Sequence, residues 1–287
     1  VDVLDYSDAD HGVAVNLAEG TATDDGGNLD DVSGFETIIG SDYDDQLAGD
    51  VTANLIIGGQ GNDTLNGGGG ADTFRFANDW DDDTIEVDDA TSIIILDFTD
   101  VDADLIFTFH ADGTVSVADG ENPFDSATYM PEEASSAPNA INTLKALPQV
   151  GLLVGGSGDD RFKLEEGVLF SGTINGGEGT NSLDYSAWQD DIDIDLTAGT
   201  ATGIGSISNI QAIVAGDGNI DFTGTLEDGT LSFEESGRAV NFDLTQDSGQ
   251  VSGKHVGIVA INNLTGSDFD DELIGNSADN VLSGGQG

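Results

Sequence analysis

Two consecutive nine-residue segments, GGQGNDTLN at residues 58–66 and GGGGADTFR at residues 67–75, decide the fold of this 287-residue chain. Both fit the pattern G-G-x-G-x-D-x-U-x, in which U is a large apolar residue. The glycines permit a tight turn with positive φ, and the acid at the sixth position belongs to that turn. The apolar residue at the eighth position belongs to a short strand and points inward. One match to this pattern is weak evidence in a glycine-rich chain, so the prediction depends on whether the pattern repeats at the same nine-residue spacing.

The nine-residue pattern repeats without a gap through four nonamers, and it returns in two later parts of the chain. GSDYDDQLA (40–48) and GDVTANLII (49–57) precede the two segments, so the first four sixth positions are Asp45, Asn54, Asp63 and Asp72. Nonamers beginning at 155, 176, 266 and 275 have as their sixth positions Asp160, Asn181, Asp271 and Asn280. Residues 266–287 align with 40–61, with 12 of 22 positions identical. Two nonamers make one coil of about 18 residues, so each nonamer is expected to lie beside the next but one.

A second, longer repeat separates these segments. Leu4-Asp5-Tyr6-Ser7 returns at 183–186, and Gly20-Thr21-Ala22-Thr23 returns at 199–202. Apolar and polar residues alternate between the two motifs in both copies, which predicts strands with one buried face. The expected fold is therefore all-β and elongated. It consists of parallel β-roll or β-solenoid segments, interleaved β-strand spacers, and one insertion formed by a hairpin and a loop.

These boundaries divide the chain into six predicted segments. They are 1–39, a β-strand spacer continuing a β-roll from a preceding copy; 40–75, a β-roll; 76–154, a hairpin and proline-containing loop insertion; 155–184, a second turn pair; 185–265, β-strand spacers; and 266–287, a third β-roll cut in mid-repeat. Ala111-Asp112-Gly113 predicts the hairpin turn. Residues 121–148 are expected to form a long loop with a short helix at 140–147.

The two ends of the sequence complement each other. Joined end to start they read GGQG-VDVLD, a complete nonamer with Asp2 at the sixth position. This leads to the hypothesis that the sequence is one unit of a tandem array, or an excerpt of a longer chain.

Charge and composition exclude several classes of function. The formal net charge of −50 disfavours binding to phosphate backbones and to anionic membranes. The absence of cysteine excludes disulfides and thiolate-bound zinc, and no apolar run approaches the length of a membrane span. A disordered acidic chain is disfavoured because 37% of the residues are hydrophobic and occur in regular short clusters. Aspartate greatly exceeds glutamate, which favours turns and oxygen-ligand cation sites.

The nonamers resemble the RTX, or haemolysin-type, calcium-binding repeats, and the spacers resemble those of giant RTX surface proteins. The resemblance implies Ca²⁺ ions held between alternate nonamers by two aspartates and glycine-run carbonyls. Carried over, Asp45 and Asp63 share a site with the carbonyls of Gly58, Gly59 and Gly61. Asp72 faces the Asn54 turn, Asp160 faces the Asn181 turn, and Asp271 pairs with Asp2 of a following copy. Asparagine offers an oxygen without a charge, so its sites are expected to be weaker.

Catalysis has no sequence support. The three histidines share no motif, and no nucleophile elbow, zinc-protease motif or phosphate-binding loop is present. We expect a non-enzymatic, calcium-binding structural or adhesive repeat, secreted or on a bacterial cell surface. It would fold on Ca²⁺ and join copies of itself head to tail into a giant surface protein or filament, with a cell-surface or polysaccharide ligand as a further partner. The alternatives are an accessory module of a secreted polysaccharide-active enzyme and a halophile protein whose acidity serves solvation alone.

Overall fold

The computed structural model describes residues 1–23, 29–78, 80–86, 92–119, 140–144, 150–224, 226–246, 248–251, 254–257 and 261–287. These residues form β-strands, turns and bends and contain no helix. They therefore include no helix that could cross a membrane. The chain divides into two compact units: unit 1 is Val1–Phe107 with Asp112–Asp160, and unit 2 is Thr108–Ala111 with Arg161–Gly287.

The strands of the first part of the chain are short, and most have three residues. They are β1 (Val3–Asp5), β2 (Ala14–Asn16), β3 (Thr21–Thr23), β4 (Leu29–Asp31), β5 (Thr37–Ile39), β6 (Gln46–Ala48), β7 (Leu55–Ile57), β8 (Thr64–Asn66), β9 (Ala71–Ala77), β10 (Thr84–Glu86), β11 (Ile93–Asp100), β12 (Leu105–Phe109), β13 (Val115–Asp119), β14 (Ala140–Leu144) and β15 (Val150–Val154). Within unit 1, β1, β5, β7, β9, β11 and β15 form one parallel stack in that order. A second parallel stack has the order β10, β8, β6, β2 and continues antiparallel through β3 and β4.

The register of these stacks confirms the nonamer period. Leu55 lies opposite Thr37 on one side and Thr73 on the other, so each coil advances by 18 residues. The next coil is longer, because Thr64 pairs with Thr84 after 20 residues. The chain therefore keeps the coil geometry beyond the last nonamer but changes its length.

The core of unit 1 lies between the two stacks. The predicted inward apolar positions Leu47, Ile56, Leu65 and Phe74 are each at most 1% exposed, which confirms their orientation. Full burial of such a side chain contributes about 1.5–3 kcal/mol relative to exposure. An aromatic cluster covers the core beyond the nonamer of residues 67–75, with Phe98 stacked on Phe76 and edge-on to Trp80.

The strands of the second part of the chain follow the same plan. They are β16 (Arg161–Leu164), β17 (Phe170–Asn175), β18 (Ser182–Asp184), β19 (Ile192–Asp195), β20 (Thr200–Ala201), β21 (Ile204–Ser208), β22 (Ala212–Val214), β23 (Ile220–Thr223), β24 (Leu226–Ser232), β25 (Val240–Asp243), β26 (Ser248–Val251), β27 (Lys254–Gly257), β28 (Ile261–Thr265), β29 (Glu272–Ile274) and β30 (Val281–Ser283). In unit 2, β16, β18, β22, β24, β28 and β30 form a parallel stack. The other sheet has the order β17, β21, β20, β19, β23, β27, β26, β25, β29.

The spacer repeats add antiparallel strand pairs to these parallel stacks. β2 pairs antiparallel with β3, and β19 pairs antiparallel with β20. The repeated Leu-Asp-Tyr-Ser turn is also the same in both copies. Asp5 Oδ1 accepts the Ser7 N–H at 2.9 Å, and Asp184 Oδ1 accepts the Ser186 N–H at 2.7 Å. The all-β prediction of parallel roll segments with interleaved strand spacers is confirmed.

The insertion differs from the prediction in one respect. The expected hairpin turn is present, with Gly113 at a φ of 85° between β12 and β13. The helix expected at 140–147 is wrong, because residues 140–144 form strand β14 antiparallel to β13. Pairing with the open edge of a sheet overrides a weak local helix preference. Most of the predicted loop, residues 121–139 and 145–148, lies outside the described residues.

Candidate calcium sites

The turns of unit 1 lie along two edges, because each one joins a strand of one stack to a strand of the other. The first edge holds the turns of residues 40–45 and 58–63 and the segment that joins β9 to β10. The second edge holds the turns of residues 49–54 and 67–70. The sixth-position residues of the nonamers therefore alternate between the edges.

Three buried aspartates form a column on the first edge. Asp45, Asp63 and Asp83 are at most 2% exposed. Asp63 Oδ1 accepts the Asp45 N–H at 2.8 Å, and Asp83 Oδ1 accepts the Asp63 N–H at 2.9 Å. Asp45 Oδ1 makes the same contact with the Val13 N–H at 2.6 Å. Each carboxylate thus fixes the backbone of the preceding coil, and the predicted pair Asp45 and Asp63 is brought together.

The second oxygens of these carboxylates differ. Asp45 Oδ2 accepts the Ser41 N–H at 2.6 Å. Asp63 Oδ2 is buried and has no hydrogen-bond partner among the described residues. Leaving a buried charged oxygen unpaired is strongly unfavourable unless a cation or donor compensates it. Asp63 Oδ2 is therefore an atom that a positive ligand would stabilise.

The glycines of these turns bring further oxygens to the same place. A Cβ on Gly40 would collide with the Gly58 carbonyl oxygen and with Asp45 Oδ2, and a Cβ on Gly58 would collide with Asp63 Oδ2. Gly59 and Gly61 have φ values of 109° and 102°, which other residues rarely adopt. Carbonyl and carboxylate oxygens thus converge where a side chain is excluded. Hard oxygen donors in such a turn suit Ca²⁺.

The electrostatics of this column favour the binding of a cation. Burial raises the pKa of Asp63 to about 8 and that of Asp83 to about 7. The negative charge of Asp83 adds to the rise at Asp63, and the charges of Asp81, Asp82 and Asp45 add to the rise at Asp83. Burial also raises the pKa of Asp45. Within the described part of the chain, none of these three acids forms an ion pair with a basic side chain. A bound divalent cation would remove this penalty.

The second edge holds a weaker arrangement. Asp72 Oδ1 accepts the Asn54 N–H at 2.9 Å, so the structure brings this predicted pair together. The side-chain oxygen Oδ1 of Asn54 accepts the Asp50 N–H at 2.9 Å, and its Nδ2 is buried without a partner in the described residues. A buried N–H donor does not help to bind a cation. Burial raises the pKa of Asp72 only to about 6.

Asp160 and Asn181 are held by separate sets of contacts in different units. Asp160 is fully buried in unit 1, where Oδ1 accepts the Leu105 N–H at 2.9 Å and Oδ2 accepts the Gly156 N–H at 2.7 Å. Burial raises its pKa to about 7. Asn181 lies in unit 2, where its Nδ2 donates to the Glu178 carbonyl at 2.7 Å. Ligation at either residue stays a prediction.

Asp271 and Asp2 also lie in different units. Asp271 repeats the contacts of Asp45: its Oδ1 accepts the Val240 N–H and its Oδ2 the Ser267 N–H, both at 2.7 Å. Asp2 is exposed, and its N–H donates to Glu36 Oε2 at 2.8 Å. The predicted pairing of Asp271 with Asp2 of a following copy stays a prediction.

The nonamer motif did not predict Asp83, which lies beyond the four consecutive nonamers of residues 40–75. The available signal was the repeat of Asp63-Thr64-Leu65 as Asp83-Thr84-Ile85. Sequence reasoning also missed the cluster around Arg161, which is 7% exposed and donates from Nε to Asp184 Oδ2 at 2.8 Å. Glu234 and Glu235 complete this cluster in unit 2.

The described residues contain no group of three or more histidine, aspartate or glutamate side chains placed to hold a metal ion by themselves. Backbone carbonyls would therefore have to supply much of each coordination shell, as the glycine turns allow.

Comparison with known families agrees with this arrangement. A family model that describes four consecutive copies of the RTX calcium-binding nonapeptide repeat matches residues 30–59, 39–74 and 257–287. No curated protein matches the chain.

Proposed function

We propose that this chain, whose residues 30–74 and 257–287 match the RTX calcium-binding nonapeptide repeat, is a calcium-dependent structural module of a secreted or cell-surface bacterial protein. The observation that carries this proposal is the buried, unpartnered Asp63 Oδ2 within a column of like charges. A carboxylate in that position favours the folded state only when a proton or a cation neutralises it.

The calcium concentration would decide where the chain folds. Extracellular calcium modules have Kd values of about 10⁻⁴–10⁻³ M. A net charge of −50 opposes compaction when no cation is bound. The chain would therefore stay unfolded at cytosolic calcium and fold after export, which suits a role outside the cell.

Limited proteolysis tests this role directly. The full chain should be degraded rapidly in EGTA and should resist the same protease in millimolar Ca²⁺, because the closed turns remove cleavable backbone from solution. Mg²⁺ at the same concentration should protect it less, since Mg²⁺ dehydrates reluctantly and demands octahedral geometry. Equal resistance in EGTA and in Ca²⁺ would refute the proposal.

Head-to-tail joining with neighbouring copies belongs to the same proposal. It is supported by apolar side chains on edge strands: Val281 and Leu282 of β30 are 66% and 42% exposed, and Val3 of β1 is 50% exposed. A further coil would cover such edges and satisfy their backbone groups. Mass spectrometry of native material should show a giant chain or a ladder of repeats. Material of a single unit that also stays monomeric in calcium would contradict this part.

An accessory module of a secreted polysaccharide-active enzyme is the second candidate, and one groove favours it. The groove has a volume of about 270 Å³ on the outer face of the second stack of unit 1. Beside Glu86 and four apolar residues, its lining includes neutral polar groups from Asn16, Thr21, Thr23, Gln46, Thr64 and Asn66. Hydroxyls and amides of this kind can hydrogen-bond a sugar. Calorimetry with neutral and anionic polysaccharides would separate the candidates, because the structural role requires no saccharide affinity.

A further inference from the structure

The sixth-position asparagines of unit 2 use their side-chain nitrogen as a hydrogen-bond donor. Asn181 Nδ2 donates to the Glu178 carbonyl at 2.7 Å and to the Asn209 carbonyl at 3.1 Å. Asn280 Nδ2 donates to the Asn262 carbonyl at 2.9 Å. Asn209 lies in the coil after its partner, and Asn262 lies in the coil before its own. Each amide therefore joins its turn to a neighbouring coil.

The first glycine of the turn shows how this arrangement differs from an aspartate turn. On the first edge of unit 1, a Cβ on Gly40 would collide with a backbone carbonyl oxygen and with Asp45 Oδ2. In unit 2, a Cβ on Gly176 would collide with the Asn209 carbonyl oxygen and would lie 2.6 Å from Asn181 Nδ2. Two oxygens at one point need a cation or a donor between them, whereas an N–H and a carbonyl oxygen satisfy each other. The Asn181 turn thus supplies its own donor.

Neighbouring carboxamide side chains complete the Asn181 turn. Gln211 Oε1 accepts the Asn181 N–H at 2.8 Å, which is the contact that Asp63 Oδ1 makes with the preceding coil in unit 1. Asn209 Nδ2 donates to Asn175 Oδ1 at 2.7 Å. Asn181 itself is fully buried. None of these amides can ionise, so the carboxamide cluster of Asn175, Asn181, Asn209 and Gln211 holds no buried charge for a cation to neutralise.

The backbone at Asn209 has an unusual conformation in this cluster. Asn209 has a φ of 54° and is the one non-glycine residue with positive φ in the part of the chain that the structure describes. The left-handed region is unfavourable for most residues, and asparagine is among those that tolerate it best. The Asn209 carbonyl oxygen meets the Asn181 amide from this conformation. The hydrogen bonds of the carboxamide cluster therefore offset a local strain.

The Asn280 turn has a cluster of the same kind. Asn280 Oδ1 accepts the Asn276 N–H at 2.9 Å, and its Nδ2 lies 3.1 Å from Asn276 Oδ1. Asn263 Oδ1 accepts the Val281 N–H at 3.1 Å. Asn54 of unit 1 differs from both, because its Nδ2 contacts no acceptor in the described residues. An asparagine at the sixth position is thus not sufficient, and acceptors on the neighbouring coil must face its amide.

We propose that Asn181 and Asn280 close their turns without a metal ion, because the side-chain amide donates where an aspartate turn gathers oxygens around a cation. Asn181 is then a hydrogen-bond donor and not the weak calcium ligand expected from the sequence. The sixth-position residue and its neighbours decide which turns respond to calcium. The proposal goes beyond the proposed function and rests on it for the contrast with aspartate turns that bind calcium.

Equilibrium dialysis with radioactive calcium counts the ions that the full chain binds. Asn181→Ala and Asn280→Ala should each bind as many ions as the wild-type chain, whereas Asp63→Asn should bind one fewer. Both alanine variants should have a lower urea midpoint than wild type, and the shift should be the same at low and at saturating calcium, since the lost donor contacts no ion. Loss of one ion from either folded alanine variant would overturn the proposal for that turn.

Asn181→Asp tests the same turn with a side chain of equal size. The aspartate replaces the donor by an oxygen opposite the Asn209 carbonyl, so this variant should bind one calcium ion more than wild type. Its urea midpoint should also depend more steeply on calcium. An unchanged ion number in the folded variant would overturn the proposal, because either the wild-type turn already held an ion or the amide does not stand in for one. A wild-type chain that binds no calcium would refute the proposed function instead, before any substitution is made.

Discussion

Asp63 uses its two carboxylate oxygens for different purposes. Oδ1 accepts the Asp45 N–H and fixes the spacing of two coils, while Oδ2 is buried without a hydrogen-bond partner in the described residues. The first contact needs only an acceptor, which asparagine can also supply. The second position needs a negative charge only if a cation binds there. Substitution by asparagine can therefore separate the structural contact from the ligand.

Asp63→Asn should weaken calcium-dependent stability while leaving the coil geometry intact. Loss of one site with a Kd of about 10⁻⁴–10⁻³ M removes about 1.4–2.7 kcal/mol at roughly 10 mM Ca²⁺. Urea unfolding in that buffer would measure the change. The exposed Asp8→Asn variant removes the same charge and serves as the control. Equal stability of the two variants would contradict ligation by Asp63.

The calcium-free chain should be more stable at pH 5 than at pH 8. Burial raises the pKa of Asp63 to about 8 and the pKa values of Asp83 and Asp160 to about 7. A raised folded-state pKa gives stability that is complete below the unfolded pKa near 3.8 and lost as pH rises through the folded pKa. In EGTA, the folded fraction of the chain should therefore be larger at pH 5 than at pH 8.

Circular dichroism of the chain in EGTA at the two pH values measures this folded fraction. Saturating calcium should reduce or reverse the difference, because the ion binds the ionised carboxylates and competes with protons. A folded fraction in EGTA that rises from pH 5 to pH 8 would contradict the assignment of these buried acids.

At the scale of the element, the turns depend on glycine at particular positions. Gly61 has a φ of 102°, and an added Cβ would lie 2.5 Å from the Tyr43 carbonyl carbon. Gly61→Ala should therefore destabilise the chain by more than the roughly 1–2 kcal/mol of left-handed strain alone. Gly69 is the matched control, because its Cβ would lie 3.6 Å from Val51 Cα and the equivalent position of the preceding nonamer is Gln60.

Gly69→Ala should stay within about 0.5 kcal/mol of wild type. Calcium titrations of the two variants, followed by circular dichroism, would measure the difference in folding midpoint. Similar midpoints for both would show that the turn does not require the left-handed conformation at Gly61.

The strand stack of unit 2 contains a buried arginine side chain that supplies a positive charge. Arg161 is 7% exposed and contacts Asp184, which is fully buried, at 2.8 Å. It also contacts Glu234 and Glu235 at 3.3 Å. Arg161→Met should destabilise the chain by about 3–5 kcal/mol, because it leaves buried charge uncompensated. Calcium should not restore this loss.

Arg238→Met is the matched control for this cluster. The Arg238 side chain is 49% exposed and lies 3.9 Å from Asp217, so its loss should change stability by about 0–1 kcal/mol. Chemical unfolding of both variants in saturating calcium makes the comparison. A small effect of Arg161→Met would mean that the acids of the cluster are neutralised in another way.

The parts of the fold that repeat locally could be predicted from the sequence, and the parts set by long-range order could not. Each nonamer specifies its own turn and inward residue. Two nonamers make a coil of 18 residues, so the sequence alone predicts that Leu55 lies opposite Thr73. Asp83 lies in a longer coil that has lost the glycines, and only its Asp-Thr-Ile remnant marks it. Arg161 meets Glu234 across 73 residues because β16, β18, β22 and β24 stack in order, which no local pattern states.

The last nonamer shows another limit of local patterns. Its predicted inward residue Leu282 is 42% exposed, because β30 is the outermost strand of its sheet among the described residues. Burial at the eighth position therefore requires a neighbour in the stack as well as the motif.

At the scale of the whole molecule, the charge of −50 has two parts with different roles. Exposed aspartates such as Asp193 of β19 lie on outward strand faces and remain solvated. The buried column of Asp45, Asp63 and Asp83 opposes folding until a positive ligand arrives. Calcium rather than general ionic strength should therefore control folding, in contrast to an acidity that serves solvation alone.

Far-ultraviolet circular dichroism of the full chain at neutral pH, recorded in EGTA and again after addition of millimolar Ca²⁺, tests this account most directly. A parallel sample in concentrated KCl without calcium distinguishes specific binding from screening. The account predicts a largely unfolded spectrum in EGTA, little gain in KCl, and a full β-sheet spectrum once calcium is added. A full β-sheet spectrum in EGTA, or its complete recovery in KCl alone, would contradict it.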